Sequence, residues 1–345
     1  MVITRRNFLK LSVLEFGNLA FRPLSGWGFD TDSGDIARVT IHSVSVYSKP
    51  SDQSKIVYQR YRDELVNIYD EVVSEDGPGY NPLWYRVWGG YIHSAYLQKV
   101  KVRYNPVVTE PFVKTGQLAE VTVPLTQTMR YLPYKKTWEQ LYRLYYGSTH
   151  WVKGVDTGPD GTPWYRLHDE LNEVEYHAPS AHLRFVPEEE FAPVSPAIPP
   201  SDKRIEVSIA MQTLTAYEKE RVVFQTKVST GIPDRRNIPG LIPTDTPTGE
   251  FHVYSKMPSK HMGNGQLTAD IEAYELPGVP WTTFFAPNGV AFHGTYWHDN
   301  FGITMSRGCV NMRTEEAKWL FRWTTPISGP ETWEQTGYGT LVIVK

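Results

Sequence analysis

The chain has 345 residues, which is enough for two or three domains of about 150 residues each. Its 35 Lys and Arg nearly balance its 38 Asp and Glu, so the charge does not favour a nucleic-acid partner. No apolar run is long enough for an ordinary membrane-spanning helix, and the single cysteine excludes an intramolecular disulfide. The 26 Gly, the 26 Pro and many short runs of Val, Ile and Tyr predict a mainly β protein.

The N-terminus has the pattern of an export signal. Residues 4–10, TRRNFLK, have the form of a twin-arginine signal, and residues 1–35 are predicted to be this signal and a polar leader. Glu15 interrupts the apolar stretch that should follow, so a solvated basic N-terminus remains the alternative. We therefore expect an exported protein of the cell envelope, in the periplasm or cell wall, with no membrane span apart from the signal segment.

Residues 36–103 and 117–187 are predicted to be two copies of one small β unit. Two phrases occur in both units, which indicates an internal duplication: Trp-Tyr-Arg at 84–86 and 164–166, and Ser-Ala-Tyr-Leu at 94–97 with Ser-Ala-His-Leu at 180–183. Both units resemble bacterial SH3-like domains, small β-barrels that commonly accompany cell-wall enzymes. Such units would either bind the wall polymer or serve as rigid spacers, and the sequence leaves both roles open.

The rest of the chain divides into a linker and a last domain. Residues 188–203 contain four prolines and several acids, which predicts a stiff, extended linker. Residues 204–345 begin and end with alternating apolar runs, so we expect mostly strands there. One helix is predicted, with Thr314 as its cap. Residues 256–265 are predicted to be a lid or an ordinary loop.

The most informative stretch contains the only cysteine, Cys309, and an upstream histidine, His293. A free thiol has a pKa of about 8.5, so a neighbouring imidazole is needed to take its proton and return it to a leaving amine. Gly308 lets the backbone turn tightly before the cysteine, where rigid N–H groups can bind a tetrahedral oxyanion. The stretch therefore has the components of a thiol acyl-transfer site, and packing as a small apolar side chain is the alternative role of Cys309.

This stretch resembles the signature of the YkuD family of L,D-transpeptidases, which is His-Gly, a variable spacer, then Ser/Thr-His-Gly-Cys, a hydrophobic residue, and Asn or Arg. The phrases Ser-Thr-Gly at 229–231 and TPTGEF at 246–251 match two further phrases of that family in the right order. The resemblance covers residues 204–345 and implies two SH3-like β-barrels followed by a YkuD-type β-sandwich catalytic domain with few helices. It also implies an acyl-enzyme with the third residue of a peptidoglycan stem tetrapeptide, formed as D-Ala leaves, and transfer of that acyl group to a second amine.

The family pattern implies roles for individual residues of this stretch. By position, Cys309 is the nucleophile and His293 the base, and the backbone at Gly308 and Cys309 forms the oxyanion hole. Gly294 would orient the imidazole through its carbonyl. Two further residues would hold the loop, Ser306 and Asn311.

Arg307 stands where the family usually has His. Its permanent charge would favour the thiolate or pair with a substrate carboxylate, so we assign it to substrate binding. Tyr296 and Trp297 are predicted to line the substrate groove, as is Trp281, with burial in the core as the alternative for all three. His298 and its neighbours lack a compact zinc spacing, so we expect no metal, and we expect no cofactor.

Three functions are compatible with these residues. The first is a transpeptidase that acts on peptidoglycan stem peptides as a monomer and makes 3-3 type cross-links or attachments to another amine. The second is an L,D-carboxypeptidase, in which water releases the same acyl-enzyme. The third is a wall-binding protein whose last domain is inactive, a reading supported only by Arg307.

Overall fold

The computed structural model describes residues 35–109, 112–113, 115–233 and 243–345. The predicted export signal lies outside the described residues. The fold is mainly β, as predicted, and its described residues from Asp35 onward belong to one compact unit. Among them, no helix is long and apolar enough to cross a membrane.

The first β unit contains eight strands in two sheets, with strand orders β4-β1-β8 and β3-β2-β7-β6-β5. The strands are β1 Ile36–Val39, β2 Ser43–Tyr47, β3 Ile56–Tyr61, β4 Leu65–Asn67, β5 Asp70–Val73, β6 Leu83–Val87, β7 Gly90–His93 and β8 Leu97–Val100. Alternating side chains from both sheets, among them Val39, Val46 and Tyr85, form a core of their own.

The second β unit is a single seven-stranded sheet with the order β11-β10-β14-β13-β12-β9-β15. The strands are β9 Gln117–Val121, β10 Leu125–Leu132, β11 Thr137–Tyr145, β12 Thr149–Thr157, β13 Pro163–Asp169, β14 Val174–Pro179 and β15 Leu183–Phe185. One of its core clusters includes Leu144, Tyr165 and Leu167.

The two repeated phrases occupy equivalent elements in these units. Trp84-Tyr85-Arg86 lies in β6, and its counterpart at 164–166 lies in β13. Both Ser-Ala phrases form a short 3-10 turn that leads into the last strand of the unit. That last strand pairs antiparallel with the first strand in both cases, β8 with β1 and β15 with β9. The repeated phrases therefore lie at corresponding places in the two units, although the strand orders of the units differ.

The last domain is a two-layer β-sandwich. Its sheets have the orders β18-β17-β16-β25-β19 and β23-β22-β21-β20-β24. The strands are β16 Lys203–Ser208, β17 Thr213–Glu218, β18 Arg221–Lys227, β19 Gly249–His252, β20 Ser255–Gly263, β21 Glu275–Ala286, β22 Val290–Gly294, β23 Val310–Met312, β24 Gln335–Thr336 and β25 Leu341–Val344. Val207 and Val342 of one sheet pack with Phe285 and Phe292 of the other.

The predicted helix is present as α1, Thr314–Trp323, and it buries Leu320 and Phe321. The predicted cap is wrong, because Thr314 is already the first helical residue and Arg313 precedes it without a side-chain cap bond. The prediction of a lid or loop at 256–265 is also wrong for most of that range, since β20 continues to Gly263 and Lys256 is buried.

The segment 188–203 is not an extended tether. Residues 188–191 form a 3-10 turn, and Phe191 is buried against Trp281 of the last domain with 5.4 Å between ring centroids. Leu118 and Trp151 of the second unit belong to the same hydrophobic core as the last domain. Apolar burial therefore holds the second unit against the domain that it precedes.

Candidate active site

His293 lies in β22, and Cys309 lies immediately before the neighbouring strand β23. Strands β22 and β23 pair in parallel, with Phe292 opposite Val310 and His293 opposite Asn311. Phe292 and Val310 belong to the hydrophobic core. Because side chains alternate along a strand, His293 and Asn311 face the other side of the sheet. Cys309 directly precedes β23, two residues before Asn311.

The imidazole of His293 is held in one tautomer. Its Nδ1 lies 3.0 Å from the carbonyl oxygen of Gly294, and because a carbonyl only accepts, Nδ1 carries the proton. The Nε2 of the neutral ring is therefore left with its lone pair. Burial lowers the pKa of His293 to about 4, and the bond to Gly294 acts in the opposite direction. A Cβ added at Gly294 would lie 2.9 Å from the Cα of Thr314, so only glycine fits beside the helix.

Cys309 is a free, partly exposed cysteine. Its Sγ lies 3.9 Å from the carbonyl oxygen of Gly289. Burial raises the pKa of Cys309 to about 11, and the backbone N–H of Ala291 acts in the opposite direction. With a neutral thiol and a neutral imidazole at rest, any base catalysis by His293 has to move the proton during the attack itself.

The turn before Cys309 is fixed by two hydroxyl groups. Ser306 Oγ donates to the carbonyl of Cys309 and accepts the N–H of Gly308 at 3.2 Å. Thr246 Oγ1 donates to the carbonyl of Gly308 at 2.8 Å and accepts the N–H of Gly231 at 2.8 Å. Gly308 has a φ of +118°, a conformation that residues with a Cβ rarely adopt. The peptide immediately before the thiol is therefore held on both sides.

The Ser-Thr-Gly phrase at 229–231 supports the same loop. Ser229 exchanges backbone hydrogen bonds with Asn311, at 3.0 and 2.8 Å, and the carbonyl of Thr230 accepts the N–H of Ser306 at 3.1 Å. A Cβ added at Gly231 would lie 2.1 Å from the carbonyl oxygen of Thr244, so the close approach requires glycine. The recurring phrases noted in the sequence thus meet around the cysteine loop.

Asn311 packs beside a second histidine. The side-chain amide of Asn311 lies 2.9 Å from Nε2 of His298, and both residues are buried. His298 Nδ1 accepts the N–H of Asn300 at 3.1 Å. Burial lowers the pKa of His298 to about 3, with the charges of His293 and Arg313 acting in the same direction. Asn311 is thereby tied to the segment that leads from His293 to the cysteine loop.

The residues assigned to substrate binding differ in exposure. Arg307 is exposed, with its guanidinium carbon 4.2 Å from the ring centroid of Tyr274. Trp297 is half-buried, and its ring lies 5.7 Å from that of His293. Tyr296 is buried, and its hydroxyl donates to the carbonyl of Pro277 at 3.0 Å, so this side chain has almost no surface to offer a substrate. Trp281 belongs to the core.

Two contacts of the site were not assigned from the sequence. Thr246 lies within a phrase that was noted, but its bond to the Gly308 carbonyl depends on a contact between distant segments. Tyr274 lies in no noted phrase, and its stacking against Arg307 has no sequence signal. Among the described residues, no three His, Cys, Asp or Glu side chains cluster as metal ligands.

Cysteine acyltransferases use a thiol and an imidazole as nucleophile and base, and here Cys309 directly precedes the strand that pairs with the strand of His293. Residues 202–344 match the family model described as YkuD, the L,D-transpeptidase catalytic domain, and this part of the chain is such a domain. No curated protein matches the chain significantly.

Solved structures of L,D-transpeptidases are similar to part of the chain. A mutant enzyme from Enterococcus faecium is 23% identical over 42% of this chain and 50% of that chain, with a TM-score of 0.31. The catalytic domain from E. faecium is 26% identical over 42% of this chain and 97% of that chain, with a TM-score of 0.30. An enzyme from Mycobacterium smegmatis is 20% identical over 50% and 73%, with a TM-score of 0.32. The match thus spans half the length of the first of these relatives.

Proposed function

We propose that this protein is a peptidoglycan L,D-transpeptidase in which Cys309 is the nucleophile and His293 the base. The observation that supports the proposal is the parallel pairing of β22 with β23, which puts His293 opposite Asn311, two residues after Cys309. The Gly294 carbonyl supports it by directing the proton of His293 to Nδ1. The neutral ring can then accept a proton at Nε2.

In the first half-reaction, the Sγ of Cys309 attacks the carbonyl carbon of the third residue of a stem tetrapeptide. His293 Nε2 takes the thiol proton as the C–S bond forms, because the high pKa of Cys309 keeps the resting thiol protonated. The C–N bond to D-Ala then breaks, and the imidazolium returns the proton to the departing amine. The products are a thioester on Cys309 and free D-Ala.

The negative charge of the tetrahedral intermediate needs backbone donors. The N–H of Gly308 is already bound by Ser306 Oγ, so the N–H of Cys309 is the better candidate for the oxyanion hole. Arg307 is exposed and lies two residues before Cys309 in the sequence, so it is the candidate residue for binding a carboxylate of the substrate. Trp297, half-buried near the base, is the candidate for a wall of the groove.

In the second half-reaction, an amine attacks the thioester carbonyl and loses a proton to His293, and the thiol of Cys309 leaves and regains its proton. Attack by the side-chain amine of another stem peptide would give a 3-3 type cross-link. Attack by water instead would make the protein an L,D-carboxypeptidase. We propose that it works in the cell envelope after export, with residues 4–10 as the signal.

The test is intact-protein mass spectrometry of the full chain with a disaccharide-tetrapeptide. We expect an adduct that lacks D-Ala in the wild type and none in Cys309→Ala, with His293→Ala forming it at least about a hundredfold more slowly. The released products separate cross-linking from hydrolysis. A folded wild-type protein that forms no adduct at any pH would contradict the proposal and favour an inactive wall-binding protein.

A further inference from the structure

The first β unit places a buried arginine against the candidate active site. Arg38 of β1 is 2% exposed, and its Nη2 donates at 2.7 Å to the main-chain carbonyl of Tyr296. Tyr296 belongs to the connecting segment, residues 295–308, which joins the candidate base His293 to the turn before Cys309. A charged guanidinium from one unit thus holds the backbone of another, three residues after the histidine.

The guanidinium is itself tightly surrounded. Its Nη1 forms an ion pair with Asp63 at 2.9 Å, and Gln98 accepts from its Nε and Nη2 at 3.2 and 2.9 Å. Its flat face lies 4.0 Å from the ring centroid of Tyr145, which comes from the second unit. Asp63 also pairs with Arg143 of the second unit at 2.7 Å. All three parts of the described chain meet at this one side chain.

Further contacts hold the same segment. The N–H of Asp299 donates to the carbonyl of Ala95 at 2.9 Å, and the side-chain amide of Asn81 donates to the carbonyl of Asp299 at 3.3 Å. Lys227 of the last domain donates to the carbonyl of Tyr80 at 2.6 Å, close to where Gly302 packs. The first unit therefore binds the connecting segment at several points along its length.

The first unit also contacts the loop that precedes β21. Arg62 donates at 2.6 Å to the carbonyl of Ile271 and forms an ion pair with Glu272 at 3.2 Å. Two residues later in this loop, Tyr274 stacks under Arg307. The first unit thus contacts both the connecting segment and the loop whose tyrosine supports the residue before Gly308.

We propose that the first β unit is a working part of the active site and that Arg38 is a positioning residue, which holds the connecting segment so that His293 and Cys309 keep their geometry. This inference rests on the proposed function. It differs from both roles considered for the unit, wall binding and spacing, because neither requires a buried charge bound to the segment that joins base to nucleophile. A hydrogen bond from a buried cation is strong enough for this task.

Arg38→Met in the full-length protein tests the proposal, since it keeps the length of the side chain and removes the donors. Arg60→Met is the matched control, because Arg60 lies in the same unit and its ion pair is with Glu64 of that unit. We expect hydrogen exchange in residues 295–302 to rise at least about tenfold in Arg38→Met, with strands β16 to β18 unchanged. Acylation should slow at least about tenfold in kcat with KM little changed, and Arg38→Lys should recover part of both losses.

Unchanged exchange and unchanged kcat in Arg38→Met would overturn the proposal. Equal loss of protection throughout the last domain would also overturn it, because Arg38 would then contribute only to overall stability. If Arg38→Met does not fold, the comparison of Arg38→Lys with the wild type decides by the same two measurements. A wild type without acylation would refute the proposed function, and the exchange comparison would still decide whether Arg38 holds the segment.

Discussion

At the scale of single residues, burial shifts the pKa values of the candidate base and nucleophile so that both neutral forms are favoured. Burial lowers the pKa of His293 to about 4 and raises the pKa of Cys309 to about 11. A preformed thiolate–imidazolium pair needs the opposite order of pKa values. The site therefore favours general-base activation of a thiol over a resting ion pair.

This order predicts the pH dependence of Cys309 alkylation by iodoacetamide. Only the thiolate reacts, so the rate should keep rising from pH 8 to beyond pH 10, through the raised thiol pKa of about 11. His293→Ala should give a similar profile, because the neutral imidazole does not stabilise the thiolate. A plateau between pH 6 and 8 that disappears in His293→Ala would instead reveal an ion pair.

Arg307 provides a second prediction at this scale. If its guanidinium binds the C-terminal carboxylate of the donor peptide, Arg307→Ala should raise KM about three- to tenfold, a modest loss because the site is exposed. The measurement compares the tetrapeptide with its C-terminal amide, for which the variant and the wild type should behave alike. An equal rise in KM for both substrates would instead indicate that Arg307 acts through its contact with Tyr274.

At the scale of elements, strand β20 is joined to the second unit through a buried charge cluster. The Nδ1 of His261 lies 2.9 Å from Asp169 of β13, and its Nε2 lies 3.0 Å from Glu275 of β21. Tyr142 donates to Asp169 at 2.7 Å. Burial alone would raise the pKa of Asp169, but the bonds and charge of His261, with the bond from Tyr142, hold it well below its usual range.

This cluster predicts a loss of stability in acid. Because the folded-state pKa of Asp169 is depressed, its contribution is present above the unfolded value of about 4 and is lost as pH falls below it. Asp169→Asn should cost about 3 kcal/mol at pH 7, since it removes the buried carboxylate that His261 and Tyr142 bind, and less at pH 3. Thermal unfolding at both pH values measures this loss of stability, and Asp52→Asn, at an exposed position, is the control. Equal losses of stability at pH 7 and pH 3 would exclude an electrostatic role for Asp169.

At the scale of the whole molecule, the segment 188–203 connects packed parts. Phe191 is buried, and Glu190 is bound by Arg184 and Lys318. Native protein should therefore resist a glutamate-specific protease at residues 188–190, although three glutamates stand together there. Limited proteolysis followed by mass spectrometry tests this. Rapid cleavage there into two stable fragments would instead indicate that residues 188–203 form an extended, accessible linker.

The sequence was informative where the signal is local. The apolar runs at the two ends of residues 204–345 predicted the strands that the structure contains as β16 and β25, and the helix after Arg313 was found from its composition. The phrase around Cys309 identified the catalytic domain because its residues are neighbours in the chain. The two Ser-Ala phrases, which are also local signals, coincide with the same short turn before the last strand of each unit.

Long-range contacts could not be predicted in this way. The burial of Tyr296 depends on Arg38 and Tyr145, which lie far away in the chain. From the sequence, Tyr296 was therefore assigned to the groove because it is an aromatic residue close to His293. Prolines indicated an extended linker because composition does not report what a segment packs against. Lys256 was placed in a polar loop because its bonds to the carbonyls of Thr324 and Pro326 are invisible in sequence.

The contacts of Arg38 join three parts of the chain, so they constrain how proteins of this kind can evolve. Recombination that placed this catalytic domain behind an unrelated N-terminal module would leave the carbonyl of Tyr296 without its buried donor. Asp63 and Arg143, which meet at the same point, would have to be inherited together with Arg38. The three parts are therefore expected to pass through lineages as one heritable block, even though each looks in sequence like a separate, exchangeable module.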